Sequence, residues 1–322
     1  MRITVLAGGV GGAKFTRGLR DHLREEGAEA EITVVVNTGD DLWLNGLRVC
    51  PDLDTVMYTL GGVIHEQGWG RAQETTRVSA EVHAYGLGWD WFTLGDLDLG
   101  THLARTELLR SGRPLGAVTQ QLCTRWNPGA RLLPMSDQPV ETHVEVDLDG
   151  EVLLLHFEEW WVRHRARLPA RRFVQVGVEE ARPGPGVLEA LAEADVILLP
   201  PSNPVVSIGT ILGVPGVRDT LVHAAARVVG VSPIIGGAPV RGMADACLDA
   251  IGVATSAQAV ATHYGARSAG GLLDGWLVDD ADAAASPVLE AAGIATRALP
   301  LLMADRASTA AIIKAALELA AP

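Results

Sequence analysis

The chain has 322 residues, 48% hydrophobic and 20% charged, and contains no apolar run long enough to span a bilayer. Its formal net charge of −13 excludes general affinity for nucleic acid, which rests on lysines and arginines neutralising phosphates; lysine itself is confined to Lys14 and Lys314. A soluble, cytoplasmic protein with no nucleic-acid or membrane partner is expected, and three widely spaced cysteines, Cys50, Cys123 and Cys247, suit reduced packed thiols rather than disulfides or a metal site.

Met1 to Leu6 run directly into a strand pattern, without the basic region, apolar block and small-residue cleavage site of a secretory signal. The pattern predicts a strand from Ile3 to Leu6, a glycine loop, a helix from about Ala13 to Glu26 and a strand from Ile32 to Val36. Such a βαβ unit makes a right-handed crossover, and ligands then sit beyond the carboxyl ends of its strands, where Asn37-Thr38-Gly39-Asp40-Asp41 also emerges. Residues 55 to 135 read as mostly helical, with apolar spacing at Thr55 to Leu60 and His102 to Leu109. From Glu141 the period changes to two, around the turn dipeptide Asp149-Gly150, which predicts a small β-containing insert at 136–184. Within it, the basic stretch Arg163 to Arg172, interrupted by Pro169, reads as a solvated arm.

Pro183-Gly184-Pro185-Gly186 marks the return to the main sheet. A helix from Val187 to Ala194, a buried strand Val196 to Leu199, a helix over 216–227, a strand Arg227 to Val231, the stretch Ile234 to Pro239 and a helix over 306–319 complete the pattern. The fold class is therefore α/β: a doubly wound, Rossmann-like and mostly parallel sheet built from residues 1–135 and 185–322, carrying the insert.

Gly8-Gly9-Val10-Gly11-Gly12-Ala13-Lys14 lies between the first strand and first helix, where glycines let backbone amides approach a phosphate and the helix start adds partial positive charge. Neither standard fingerprint fits: Lys14 stands where a dinucleotide motif needs its third glycine, and Ala13 and Phe15 break the P-loop pattern. Lys14 still offers a point charge for a phosphate. Acidic groups gather at Asp40-Asp41, at Asp52 and Asp54, and at Asp96 and Asp98 before His102. Asp52, Asp54 and Asp96 each precede a helical run and could serve as caps. Their scatter at loop ends also suits Mg²⁺, which takes one or two carboxylates plus water and substrate phosphate oxygens. Two polar loops follow later strands, one with Ser202, Asn203 and Ser207, the other with Ser232, Ile234 and Gly236; both read as anion or nucleotide contacts.

Seven blocks in order resemble the 2-phospho-L-lactate transferase family (CofD, or FbiA in actinobacteria) across almost the whole chain: GGVGGAK at 8–14, VVVNTGDDLW at 34–43, PDLDTVMY at 51–58, GDLDLGTH at 95–102, LLPMSD at 132–137, PPSNPVVSIGTIL at 200–212 and SPIIGGAPV at 232–240. The actinobacterial look of Val49-Cys50-Pro51 and Met57 to Gly62 points to the phosphoenolpyruvate transferase branch of coenzyme F-420 biosynthesis. The resemblance implies a guanosine-diphosphate-linked three-carbon phospho-acid as donor, the deazaflavin Fo as acceptor through a ribityl hydroxyl, GMP as leaving group, GDP as a product-like ligand, and a homodimer. It implies catalytic roles for Asp54, Asp40 and Asp96, and Mg²⁺ held by Asp40, Asp41 and Asp54. Substrate contacts are implied at Gly9, Val10, Gly11, Gly12, Lys14, Asn37, Asp54, His102, Met135, Ser136, Asp137, Ser202, Asn203, Ser207, Ser232, Ile234 and Gly236. Position 97 is Leu97 where relatives often carry a basic residue. Two other classes compete. A non-catalytic sugar-nucleotide-binding regulator carries Gly-Gly-Ser-Ser-Gly-Arg after its acidic pair, whereas Asp41 here leads into Leu42-Trp43-Leu44-Asn45-Gly46; a nicotinamide oxidoreductase lacks support without the third glycine and a ribose-binding acid.

Overall fold

The computed structural model describes residues 1–321, opening with strand β1 (Arg2–Ala7), helix α1 (Gly9–Glu25) and strand β2 (Glu31–Val36). A hairpin of β3 (Leu42–Leu44) and β4 (Leu47–Val49) precedes helices α2 (Pro51–Leu60), α3 (Arg77–Ala84), α4 (Asp96–Arg110) and α5 (Leu115–Trp126), then β5 (Arg131–Pro134). Strands β6 (Glu141–Leu148), β7 (Glu151–His156) and β8 (Ala170–Val176) lead to α6 (Val187–Ala192) and β9 (Val196–Leu199). A π-helical turn at Pro204–Gly209 continues into α7 (Thr210–Gly213), α8 (Val217–His223), β10 (Arg227–Val231) and the short pair β11 (Ile234–Ile235) and β12 (Ala238–Pro239). The chain ends with α9 (Ala244–Ala250), α10 (Ala257–Tyr264), β13 (Gly275–Val278), α11 (Ser286–Ala291), β14 (Ala295–Ala298) and α12 (Arg306–Ala320). No single helix among the described residues is long and apolar enough to cross a membrane.

Seven strands make one sheet in the order β14-β13-β10-β9-β1-β2-β5, with every neighbouring pair parallel. Both faces are covered, as a parallel sheet requires. Ile3, Val5 and Ala7 of β1 pack with Phe15 of α1, Val56 of α2 and Ile312 of α12 on one face. Leu6 packs with Leu191, Leu221 and Val260 of α6, α8 and α10 on the other. From β1 the chain proceeds outward through β2 and β5 on one side, then resumes at β9 and proceeds the opposite way. That reversal between β1 and β9 opens a crevice at their carboxyl ends, the place where ligands of open α/β sheets bind.

The doubly wound reading holds, with local differences. Helix α1 begins at Gly9 rather than near Ala13, so most of the glycine loop is the first helical turn. Strands β5, β13 and β14 were not foreseen; β14 reads Ala-Thr-Arg-Ala and is half-buried at the sheet edge, so it carries no apolar run. The β3–β4 hairpin, an addition to the expected elements, turns on Asn45-Gly46, both at positive φ (50° and 77°), a strong two-residue hairpin signal.

Strands β7-β6-β8 form a separate antiparallel sheet. Its apolar face, with Val144, Val146, Phe157 and Trp160, shares a core with Val206 of the π-helical turn and Cys247 of α9, so the main fold completes the core of this segment. The basic residues face solvent paired with acids: Arg171 with Asp147 at 2.7 Å and Arg172 with Glu145 at 2.7 Å. Trp160 is fully buried, edge-on to Phe173 at 5.7 Å between centroids, with its indole N–H donating to the Leu168 carbonyl at 2.8 Å. Trp160→Ala is expected to cost about 3–5 kcal/mol of unfolding free energy through the cavity left behind, read from denaturant midpoints; a loss below about 1 kcal/mol would mean that this core is not what anchors the segment.

Candidate active site

The turn after β1 and the loop after β9 meet at the crevice. Gly8 N–H donates to Ser202 Oγ at 3.3 Å, and Ser202 Oγ–H donates back to the Gly8 carbonyl at 2.8 Å. Gly9 N–H donates to Asp52 Oδ1 at 2.7 Å. A Cβ at Gly11 would lie 2.4 Å from the Pro201 carbonyl oxygen, and one at Gly12 2.7 Å from Ser202 Oγ, so these glycines are there for close approach of helix to loop. Helix α1 has no side-chain cap, which leaves the first-turn amides of Val10 and Gly11 without intrahelical acceptors and open to an anion. Lys14 is exposed on α1.

Around the turn, carboxylates converge from three elements. Asn37, at the end of β2, donates through Nδ2 to Asp52 Oδ2 at 2.9 Å and to Asp40 Oδ2 at 3.3 Å. Asp41 pairs with Arg48 of β4 at 3.5 Å. Asp54 of α2 binds Arg105 of α4 directly. Behind it, His102 Nδ1 lies 3.6 Å from Asp54 Oδ2 and Nε2 lies 3.3 Å from Asp98 Oδ2, while Tyr58 O–H donates to Asp98 at 2.7 Å. Asp40, Asp41, Asp52 and Asp54 are all buried.

Burial raises each of these acids. Asp40 is pushed well up by burial and then by the charges of Asp52, Glu158 and Asp41. Burial lifts Asp41 to about 7 against the pull of Arg48, and Asp52 to about 6 against the Asn37 and Gly9 hydrogen bonds. Asp54 also rises through burial, opposed by Arg105 and His102. Glu158, which follows β7, is buried beside them and reaches about 8, from burial and the Asp52 charge.

Asp40 Oδ1, Asp41 Oδ1 and Asp54 Oδ2 are buried without a hydrogen-bond partner. Unpaired oxygens in an acid-rich rim fit a hard divalent cation, which needs only one or two carboxylates when substrate phosphates and water supply the rest. Asp40, Asp41 and Asp54 do not form a single three-ligand cage; the one group among the described residues with three ligand atoms within 4.8 Å of one another is Asp54, Asp98 and His102. That group carries its own countercharge in Arg105 and is braced by Tyr58.

Several expected contacts do other work. Asp96 lies at the surface, bonding Thr75 and the Val78 N–H of α3, and Asp98, two residues on and so on the opposite face of α4, joins the cluster instead. Met135 is core, Ser136 binds the Gln138 N–H, and Asp137 takes the Gly116 N–H of α5 at 2.6 Å. Asn203 caps the π-helical turn through Val205 and Val206 and reaches Cys247 Sγ at 3.4 Å. A Cβ at Gly8 would lie 2.7 Å from Ser207 Oγ, which puts Ser207 against the turn. Ser232 folds back on Ile234, itself fully buried, and Gly236 N–H donates to Asp282 at 2.9 Å. Arg48, Arg105 and Glu158 join the site without belonging to any of the expected contacts. Asp98, His102 and Arg105 stand at i, i+4 and i+7 of α4, a polar stripe that helical spacing reveals; Glu158 has no local signal. At the opposite rim, a cavity of about 130 Å³ near Arg2, Thr4 and Arg131 is too small for a nucleotide.

A family model described as 2-phospho-L-lactate transferase CofD matches residues 3–298. Curated relatives named phosphoenolpyruvate transferase include those of Thermobifida fusca, 61% identical over 325 residues and covering 99% of this chain and 98% of that protein. Another, from Streptomyces griseus, is 60% identical over 321 residues with coverage of 99% and 98%, and one from Mycolicibacterium smegmatis is 53% identical with 99% of each covered. Among solved structures, a UPF0052-family protein of Bacillus halodurans aligns over 98% of both chains with a TM-score of 0.63 at 19% identity, a likeness of fold.

The buried acids set a pH dependence of known sign. Glu158 moves from 4.5 to about 8 on folding, Asp41 from 3.8 to about 7 and Asp52 from 3.8 to about 6. Each folded value is the higher, so the stability these protons contribute is complete below the unfolded values and is lost as pH rises through the folded ones. The melting temperature of the metal-free chain is expected to fall between about pH 5 and about pH 8, and Glu158→Gln to make that fall shallower. A melting temperature that climbs across this window in the wild type would contradict the assignment.

Proposed function

This chain belongs to the 2-phospho-L-lactate transferase CofD family, and from that premise we propose that it moves a phosphoenolpyruvyl or 2-phospho-L-lactyl group from a guanosine-diphosphate-linked donor to the ribityl hydroxyl of the deazaflavin Fo, releasing GMP. The observation that supports this best is the convergence of open first-turn amides and four buried aspartates at the crevice between β1 and β9. A phosphoryl-type transfer asks for that combination: anion donors on one side, acids to position a cation and a hydroxyl on the other, and no protein nucleophile.

In this reading the hydroxyl oxygen forms a bond to the phosphorus that carries the three-carbon acid. The phosphoanhydride breaks, and GMP leaves with the bridging oxygen. The Val10 and Gly11 amides bind the diphosphate, and Ser202 fixes the turn that presents them. Asp40 and Asp41 offer their free oxygens to Mg²⁺, which when bound would neutralise charge on the phosphates. Asp54 orients the attacking hydroxyl and accepts its proton on Oδ2. Burial makes it a stronger base than an exposed carboxylate, and Arg105 and His102 hold it in place.

The phosphoenolpyruvate branch is favoured over phospholactate because relatives at 53%, 60% and 61% identity carry that name. Mass spectrometry of product formed with each donor distinguishes them. Asp54→Asn is expected to stay folded and to lose about tenfold or more in transfer rate, and chelation should abolish transfer with recovery on adding Mg²⁺. Wild-type turnover in Asp54→Asn, or turnover indifferent to chelator, would refute the respective role.

A further inference from the structure

Beside the glycine turn lies a further loop, residues 64–71. Ile64 and Arg71 form an isolated antiparallel bridge, and His65 N–H donates to the Gly70 carbonyl at 3.1 Å, closing the residues between into a tongue. Gly68 at its tip is buried with φ +98°, and a Cβ there would lie 2.8 Å from Val10 Cγ1 and 3.3 Å from Arg241 Nη1. Only glycine permits this approach, so tongue, first helical turn and Arg241 are locked into one neighbourhood. Arg241 lies just beyond β12, after Val240. Its guanidinium donates to the Gln67 carbonyl and lies over the Trp69 ring at 5.0 Å, joining the tongue to the loop before α9.

Arg48 and Arg105 are neutralised by Asp41 and Asp54, but no carboxylate pairs with Arg241 among the described residues. An exposed guanidinium held by a carbonyl and an aromatic face keeps donors to spare, in the planar fork that matches carboxylate or phosphate oxygens. In a chain of net charge −13 it also supplies attraction where an anionic ligand must enter.

We infer that Arg241 is a specificity-determining anion receptor for the nucleotide-linked donor, with Trp69 and Gln67 as the cradle that aims it across the glycine turn. The inference rests on the function proposed above. Its ligand is an oxyanion of the donor, either the nucleotide diphosphate or the carboxylate of the three-carbon acid.

Arg241 is exposed, so Arg241→Met and Arg241→Lys should fold like the wild type. Calorimetric titration with GDP and steady-state kinetics with the donor then separate the sources. If the guanidinium meets the diphosphate, Arg241→Met weakens GDP binding by about tenfold or more. If it meets the acid, GDP binding holds and the donor KM rises by about that factor while kcat moves less. In either case Arg241→Lys recovers part of the loss, and Trp69→Leu gives a smaller defect of the same kind. Unchanged GDP affinity together with unchanged donor KM in Arg241→Met overturns the inference. A wild type that binds no GDP sinks the nucleotide reading instead, and Arg241 is then judged by the same tenfold criterion on inorganic pyrophosphate, about tenfold being the loss expected for one charged contact.

Discussion

Desolvation of clustered carboxylates is the constraint around which the crevice is arranged. Asp40, Asp41, Asp52 and Asp54 are all withdrawn from water within a short stretch of chain, a placement that costs several kcal/mol per ion unless countercharge or hydrogen bonds are supplied. The fold supplies them unevenly. Arg48 answers Asp41 and Arg105 answers Asp54, while Asp52 receives two N–H donors, from Asn37 and Gly9. Asp40 receives little beyond a long contact from Asn37, and Glu158 adds to the excess. Acids that burial keeps partly protonated favour a cation that can replace those protons, and the amides of the first helical turn lie on the other flank, which is a division of labour suited to a metal-assisted diphosphate reaction.

The layout also explains why elements distant in sequence must cooperate. The arginine that holds Asp54 comes from α4, the serine that fixes the glycine turn comes after β9, and Glu158 arrives from the antiparallel segment. That segment is seated by Val206 and Cys247, so its attachment and the closure of the acidic rim are one packing problem.

Much of this was legible in the residues, and the reasons for success and failure differ. Strong period signals located β1, β2, β9 and β10, because buried parallel strands are continuous apolar runs bounded by turn residues. The carboxyl edge as the place for ligands follows from the first βαβ unit, whereas the switch point itself depends on β9 pairing with β1, which has no local signal. Strand β14 was hidden because an edge strand with half-buried Ala-Thr-Arg-Ala has no such run, and the start of α1 was misplaced because glycine propensity argues against a helix that close packing on Pro201 requires. Among site residues, Asp52 and Asp54 stand out as one of the acidic pairs that gather at loop ends near the glycine loop. Asp96 drew attention over Asp98 because the two are alike in sequence, and only the phase of α4 against α2 separates surface from cluster. Glu158 could not be found locally, since its importance comes from tertiary placement.

The strand order carries a cost during synthesis. β1 is the first strand made, yet it lies between β2 and β9, and its second neighbour begins at Val196. For more than half of translation the nascent chain therefore presents one backbone edge of a strand destined for the core unpaired, the kind of edge that recruits foreign strands. Productive folding of this topology accordingly favours shielding of the amino-terminal half until the carboxyl-terminal half emerges, and a ribosome stalled before Val196 would release an aggregation-prone fragment.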